Sequence, residues 1–199
     1  MIRPATLRHR PATGILLLGG MIATLLLSAL LFVAPALGFP APEQAVGSPF
    51  LDIPHVVGGV FTSNPAAASW IGFWLFFVGG AFVFAPLLGP VWRLLPGKDV
   101  GFTGAVVKGL LWGLALWVLS GLLLALFAAL NRLSPASVAH PRFFAAAQGI
   151  LGAAGLLIGH LVYGVSVALV AAMPQGITLI ETIGWEGYHP GESQQEAIY

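Results

Sequence analysis

The chain contains no cysteine among its 199 residues. That excludes disulfides, thiolate metal sites, cysteine-held iron–sulfur clusters and cysteine nucleophiles, and it leaves the redox compartment unmarked. Charge is almost as scarce. Asp, Glu, Lys and Arg make up 8% of the residues, where soluble domains carry about 25%, so a water-facing surface cannot be built from this material. A net charge of +1 without a basic patch removes nucleic acid as a partner, because nothing neutralises phosphates. No Asp or Glu falls inside any apolar run, which strips a proton relay of its usual members. The sequence also lacks HExxH, GxSxG, paired carboxylates and a phosphate-binding glycine loop with its lysine, so no catalytic set is assigned and an enzyme is not expected.

What is present is apolar length. Hydrophobic residues make up 58% of the chain, and they form runs of about 20, enough to cross a bilayer as helix. The fold class expected is all-α: a polytopic membrane protein of four transmembrane helices. Spans are read at about 14–33, 68–88, 103–130 and 145–173, within a domain covering 1–173. The first follows MIRPATLRHRPATG, a basic lead like that of a signal peptide. Its apolar stretch exceeds the about 7–15 residues of an h-region, so a retained helix is the better reading. Pro35 and Pro40 close this span, and Gly89-Pro90 close the second.

Lys and Arg set the orientation. Arg3, Arg8, Arg10, Arg93, Lys98 and Lys108 lie on one side, and only Arg132 and Arg142 on the other, which places both termini in the cytoplasm. Lys108 enters the third span and is expected to snorkel back to that surface, with a buried catalytic lysine as the sharper alternative. Trp70, Trp74 and Trp92 suit interfacial belts. In the outer loop, 36–67, the segment LDIPHVVGGVF predicts a short helix with Asp52 as N-cap and Pro54 in its first turn. Ile53, Val56, Val57, Val60 and Phe61 would give it an apolar side. The tail, 174–199, has four glutamates and no Lys or Arg, an acidic cytoplasmic segment that cannot build a core of its own. A short internal echo, LFFVGGAFVF against HLVYGVSVAL, suggests two parallel hairpins rather than an inverted repeat.

Helices in lipid associate through small residues. Gly109 and Gly113 form a GxxxG in the third span, as do Gly155 and Gly159 in the fourth, where Gly152 and Ser166 share the same face. These residues, with His160 and Tyr163, are the candidate packing and interaction set. His160 stands near mid-bilayer, where an ionisable group is a functional candidate. It can be a haem ligand, a proton carrier, or a neutral ring bonded to a carbonyl or a neighbouring subunit. Haem needs a second axial ligand, and Met21 is the only sulfur at comparable depth. The bonded neutral ring is preferred, and no cofactor or metal is assigned. An outer metal site from His55, His140, Asp52 and Glu43 lacks local ligand spacing.

The succession TGILLLGGMIA, LGFPAPE…DIPHVVGGVF, FFVGGAFVF, VGFTGAVVKGLLWGLALW and GHLVYGVSVAL resembles a family of small bacterial four-helix membrane proteins of unknown function. Members of that family often accompany haem-copper terminal oxidases. The resemblance spans most of residues 13–172. It implies a multi-pass protein of the bacterial inner membrane, a non-catalytic accessory subunit whose partners are lipids and the terminal oxidase core, a cytochrome c oxidase or its supercomplex. In one departure, Phe73, Trp74, Leu75 and Phe76 stand in the second helix where a histidine often does. The alternatives are a small independent transporter or channel lined by Ser28, Ser120, His160 and Ser166, and a haem- or quinone-binding subunit.

Overall fold

A computed structural model describes residues 10–36, 53–97, 101–133 and 141–173. The described chain is helical throughout: α1 (Thr13–Ala36), α2 (Ile53–Gly58), α3 (Pro65–Val78), α4 (Ala85–Val91), α5 (Phe102–Ala129) and α6 (Gly149–Ala172). A π-helical segment, Gly79–Phe84, joins α3 to α4 without a break. Three helices are long and apolar enough to cross a membrane: Pro65–Val91, Phe102–Ala129 and Gly152–Ala172. The tail, 174–199, and the proposed N-cap Asp52 lie outside the described residues.

Local chemistry sets the helix ends. Asn64 caps α3, its side-chain oxygen accepting from the Ala67 N–H, and Pro65 fills the first helical position, where a missing N–H costs nothing. The π segment runs up to Pro86, which has no N–H to donate and whose ring would press on the carbonyl four residues back in a regular helix. Widening to i→i+5, seen in the bond from Ala85 N–H to the Gly80 carbonyl, absorbs that conflict.

Two buried clusters form the core. At the end where α1 and α5 begin, Leu16, Leu88, Trp92, Trp112, Tyr163, Val167 and Ala172 pack together. The start of α1 and the end of α6 therefore share one end of the bundle. At the other end Val56, Ala68, Leu124, Leu133, Ala145 and Leu156 pack beneath α2. Before α6 the backbone makes a left-handed turn at Phe144 (φ 55°) and Ala145 (φ 57°). Such non-glycine conformations cost about 1–3 kcal/mol each. The Phe144 ring is held in place against Trp117, with centroids 4.6 Å apart, and over Gly121, where no side chain intervenes.

The helices meet backbone to backbone. A Cβ on Gly109 would lie 2.6 Å from the Val165 Cα, and one on Gly113 would lie 2.9 Å from the Leu161 Cα. Reciprocally, a Cβ on Gly164 would lie 2.9 Å from the Gly113 Cα. α1 uses two adjacent glycines for two neighbours, Gly19 against Val167 and Val170 of α6, and Gly20 against Ala81 and Ala85. At the far end α2 rides on α3 through Gly58 and Gly72, each facing the other helix's backbone.

The α5–α6 crossing generates a direct test. Gly113→Leu must push the two helices apart at an overpacking cost of about 1–3 kcal/mol, lowering the thermal midpoint followed by circular dichroism in detergent. Gly159→Leu, where a Cβ meets nothing within 4 Å, leaves the midpoint unchanged or slightly raised, since leucine is the better helix former.

Candidate functional site

The polar side chains are few, and most are committed to backbone carbonyls. Lys108 is only 1% exposed, and this corrects the expected snorkelling. Its ammonium turns inward to the end of α4, donating to the carbonyls of Trp92 (2.7 Å) and Leu95 (3.1 Å), and lies 5.0 Å from the centre of the Trp92 ring. Carbonyls at a helix C-terminus lack intrahelical donors, and a cation there also suits the dipole. Lys108 is thus a tertiary cap rather than a surface charge. Trp92 is fully buried, not interfacial. Trp70 and Trp74 are exposed.

Tyr163 reaches across from α6 and donates its hydroxyl to the Gly80 carbonyl, in the π segment. That carbonyl already accepts from Ala85, so the bond fixes the distorted turn from outside its own helix. Thr24 of α1 lies at the same place, 2.5 Å from where a Gly80 Cβ would be, with its hydroxyl bonded to the Gly20 carbonyl. Three helices converge here on one distorted turn.

The partner of His160 is a backbone carbonyl of its own helix. Its Nδ1 lies 2.7 Å from the Leu156 carbonyl, one turn back on its own helix. A carbonyl can only accept, so Nδ1 carries the proton, and in the neutral ring Nε2 is left with its lone pair. Met21 is 37% exposed on the surface of α1, so it does not turn inward as a second axial ligand.

The packing candidates divide. Gly109, Gly113 and Tyr163 are buried and used within the chain. Gly152 is buried, and Ser166 is half-buried. Gly155 is exposed and Gly159 half-buried, and neither has anything within 4 Å of an added Cβ. At about 100° per residue, Gly155 lies about 180° around α6 from Gly164, and Gly159 about 140°. α6 is therefore small-residued on two sides, one packed and one open, and His160 lies nearer the packed side, about 40° around from Gly164 and about 100° from Gly159.

At the α2 end, Asn131 is the residue that the sequence reading missed. It donates to the Val56 carbonyl (2.7 Å) and accepts from the Leu133 N–H (2.9 Å), while the Arg132 N–H bonds the Gly59 carbonyl. This clamps α2 to the end of α5. An amide directly after a long apolar helix was the available signal. His55 Nδ1 sits 2.9 Å from the Ser69 hydroxyl. Among the described residues no group of three or more His, Cys, Asp or Glu could hold a metal, while Glu43, Asp52 and His140 lie outside them. A comparison of the chain with protein-family models, with curated proteins and with solved structures gives no match.

Lys108→Met strands two helix-end carbonyls and costs about 1–3 kcal/mol, measured as unfolding free energy in mixed micelles. Tyr163→Phe costs about 0.6–2 kcal/mol, the range of hydrogen bonds between membrane helices. His160→Leu, by contrast, loses only a bond within one turn and leaves bundle stability nearly unchanged.

Proposed function

We propose that this chain is a non-catalytic accessory subunit of a membrane electron-transfer complex, a respiratory cytochrome c oxidase or its supercomplex, and that it docks there through the open side of α6. The observation that carries the docking face is the division of the α6 glycines. Gly164 is consumed by α5, while Gly155 and Gly159 present bare backbone on a helix long and apolar enough to span a membrane. In lipid such a surface gains little by facing acyl chains and much by admitting another helix. The choice of an oxidase rests on the family resemblance of the helix sequences. In this reading α1 is a fourth span and the protein is a multi-pass component of the bacterial inner membrane. Both termini are then cytoplasmic, supported by six Lys and Arg on one side against two on the other.

A second reading, a haem- or quinone-binding subunit, has one observation in its favour: a histidine whose Nδ1–H is anchored to a carbonyl is oriented for its other nitrogen to ligate or accept. It predicts a visible absorption band or a quinone retained by the isolated chain and lost in His160→Ala.

The leading reading is tested by extracting the full-length chain from its own membrane in mild detergent and identifying its companions by mass analysis. Oxidase or reductase subunits co-purify with the unaltered chain, and the Gly155→Ile/Gly159→Ile double variant reduces their recovery about tenfold or more, as loss of a helix–helix interface of about 1.4 kcal/mol would. Recovery of the unaltered chain as a lone monomer sinks the proposal.

A further inference from the structure

Just before α6, local sequence and backbone disagree. The segment Phe143–Gln148, FFAAAQ, holds three alanines and a glutamine, residues that favour a right-handed α-helix. Continuous with Gly149–Ala172, it would lengthen α6 by more than a turn. Instead Phe144 (φ 55°, ψ 28°) and Ala145 (φ 57°, ψ 28°) are left-handed, and Gly149 (φ 74°) breaks the segment from the helix. The turn folds back along α5. The two long helices run antiparallel in a register that sets Gly109 against Val165 and Gly113 against Leu161, so a continued α6 would bring Phe144 beside Leu130. Its ring lies deeper, on Gly121, where an added Cβ would stand 2.9 Å from Phe144 Cγ. Trp117 flanks the ring with centroids 4.6 Å apart, and the indole N–H there is buried without an acceptor.

We propose that Phe144 is a latch, and that its segment passes between this folded-back turn and a right-handed extension of α6. Two features oppose the turn. Two successive residues that carry a Cβ are held left-handed, and the Trp117 N–H is shut away from any partner. What favours it is the seat of one ring on Gly121 and Trp117, with the burial of Ala145. Against a membrane-length helix that seat is shallow, because acyl chains receive a released phenylalanine nearly as well as the protein does. A helical preference set against one tertiary contact makes a two-state element rather than a rigid turn. The Gly121 notch is its control point: an apolar group that fills the notch in place of the ring selects the extended form. Release lengthens α6 and bares the Trp117–Gly121 side of α5.

The absence of cysteine lets a nitroxide pair be placed at Leu114→Cys and Phe143→Cys, both exposed positions. Pulsed dipolar spectroscopy of the full-length chain in nanodiscs then reads the state. The turn holds residue 143 near Gly121, and the extension carries it to the end of α5, so the extended form gives the longer distance by on the order of 10 Å. Phe144→Ala and Gly121→Leu, which remove the ring and fill its seat, each raise the ratio of long to short distance about fivefold or more. In the Phe144→Ala background, Ala145→Gly supplies the residue that tolerates φ 57° and lowers the ratio about fivefold; that factor corresponds to about 1 kcal/mol. Far-ultraviolet circular dichroism verifies that each variant keeps its helicity. An unchanged short distance in both Phe144→Ala and Gly121→Leu overturns the proposal. So does a broad long-distance component that Ala145→Gly leaves in place, the mark of a frayed segment rather than a helix.

Discussion

Everything in this bundle hangs on how closely the α5 and α6 backbones approach at Gly109, Gly113 and Gly164. Between helices in lipid the hydrophobic effect gives little, because a leucine is as well solvated by acyl chains as by another leucine. What remains is dispersion between atoms at contact distance, which grows with the number of atoms brought to about 3.5–4 Å. Glycine permits that by withdrawing the side chain from the axis. With the Gly164 carbonyl set against Gly109, and the His160 carbonyl against Gly113, the two backbones touch directly. α1 then completes the same core by laying Gly19 on α6 and Gly20 on the π segment.

Close approach solves the middle of the helices and leaves their ends. Each helix terminus exposes carbonyls or N–H groups that have no partner within the helix, and a membrane boundary is an expensive place to leave them. The chain meets this with a small number of long-range donors. Lys108 reaches back from α5 to the end of α4, and Asn131 reaches from beyond α5 to α2. Tyr163 serves the one place inside a helix where the ladder is irregular, the π turn before Pro86. The few strong polar side chains are therefore spent on backbone groups.

The three long apolar helices and the short helix after position 52 were legible in the sequence, because run length and Pro54 are local signals, whereas Gly89 and Pro90, expected to close the second span, lie inside α4. The α5 glycines were legible too, since GxxxG there coincides with the packed face. α6 was not, and the reason is geometric. Its GxxxG at Gly155 and Gly159 is the more conspicuous pattern, yet Gly164, which matches no motif with them, makes the contact. A helix with small residues on two sides gives no sequence sign of which side its own chain will use. Lys108 was misread for a related reason. Its sequence depth suited snorkelling equally well, and only the arrival of the Trp92 and Leu95 carbonyls from another helix decides which way it turns. The His160 bond is local, but its choice of Leu156 over another helix depends on how far away that helix stands.

The unused side of α6 is therefore the informative one. Glycine lowers helix stability by about 1 kcal/mol relative to alanine, so two of them facing none of the described residues weaken α6 without return among those residues. At Gly109, Gly113 and Gly164 the same weakness is offset by contact. The offset at Gly155 and Gly159 has to come from outside these helices, and a backbone-to-backbone crossing of the kind α5 makes on the opposite side would supply it.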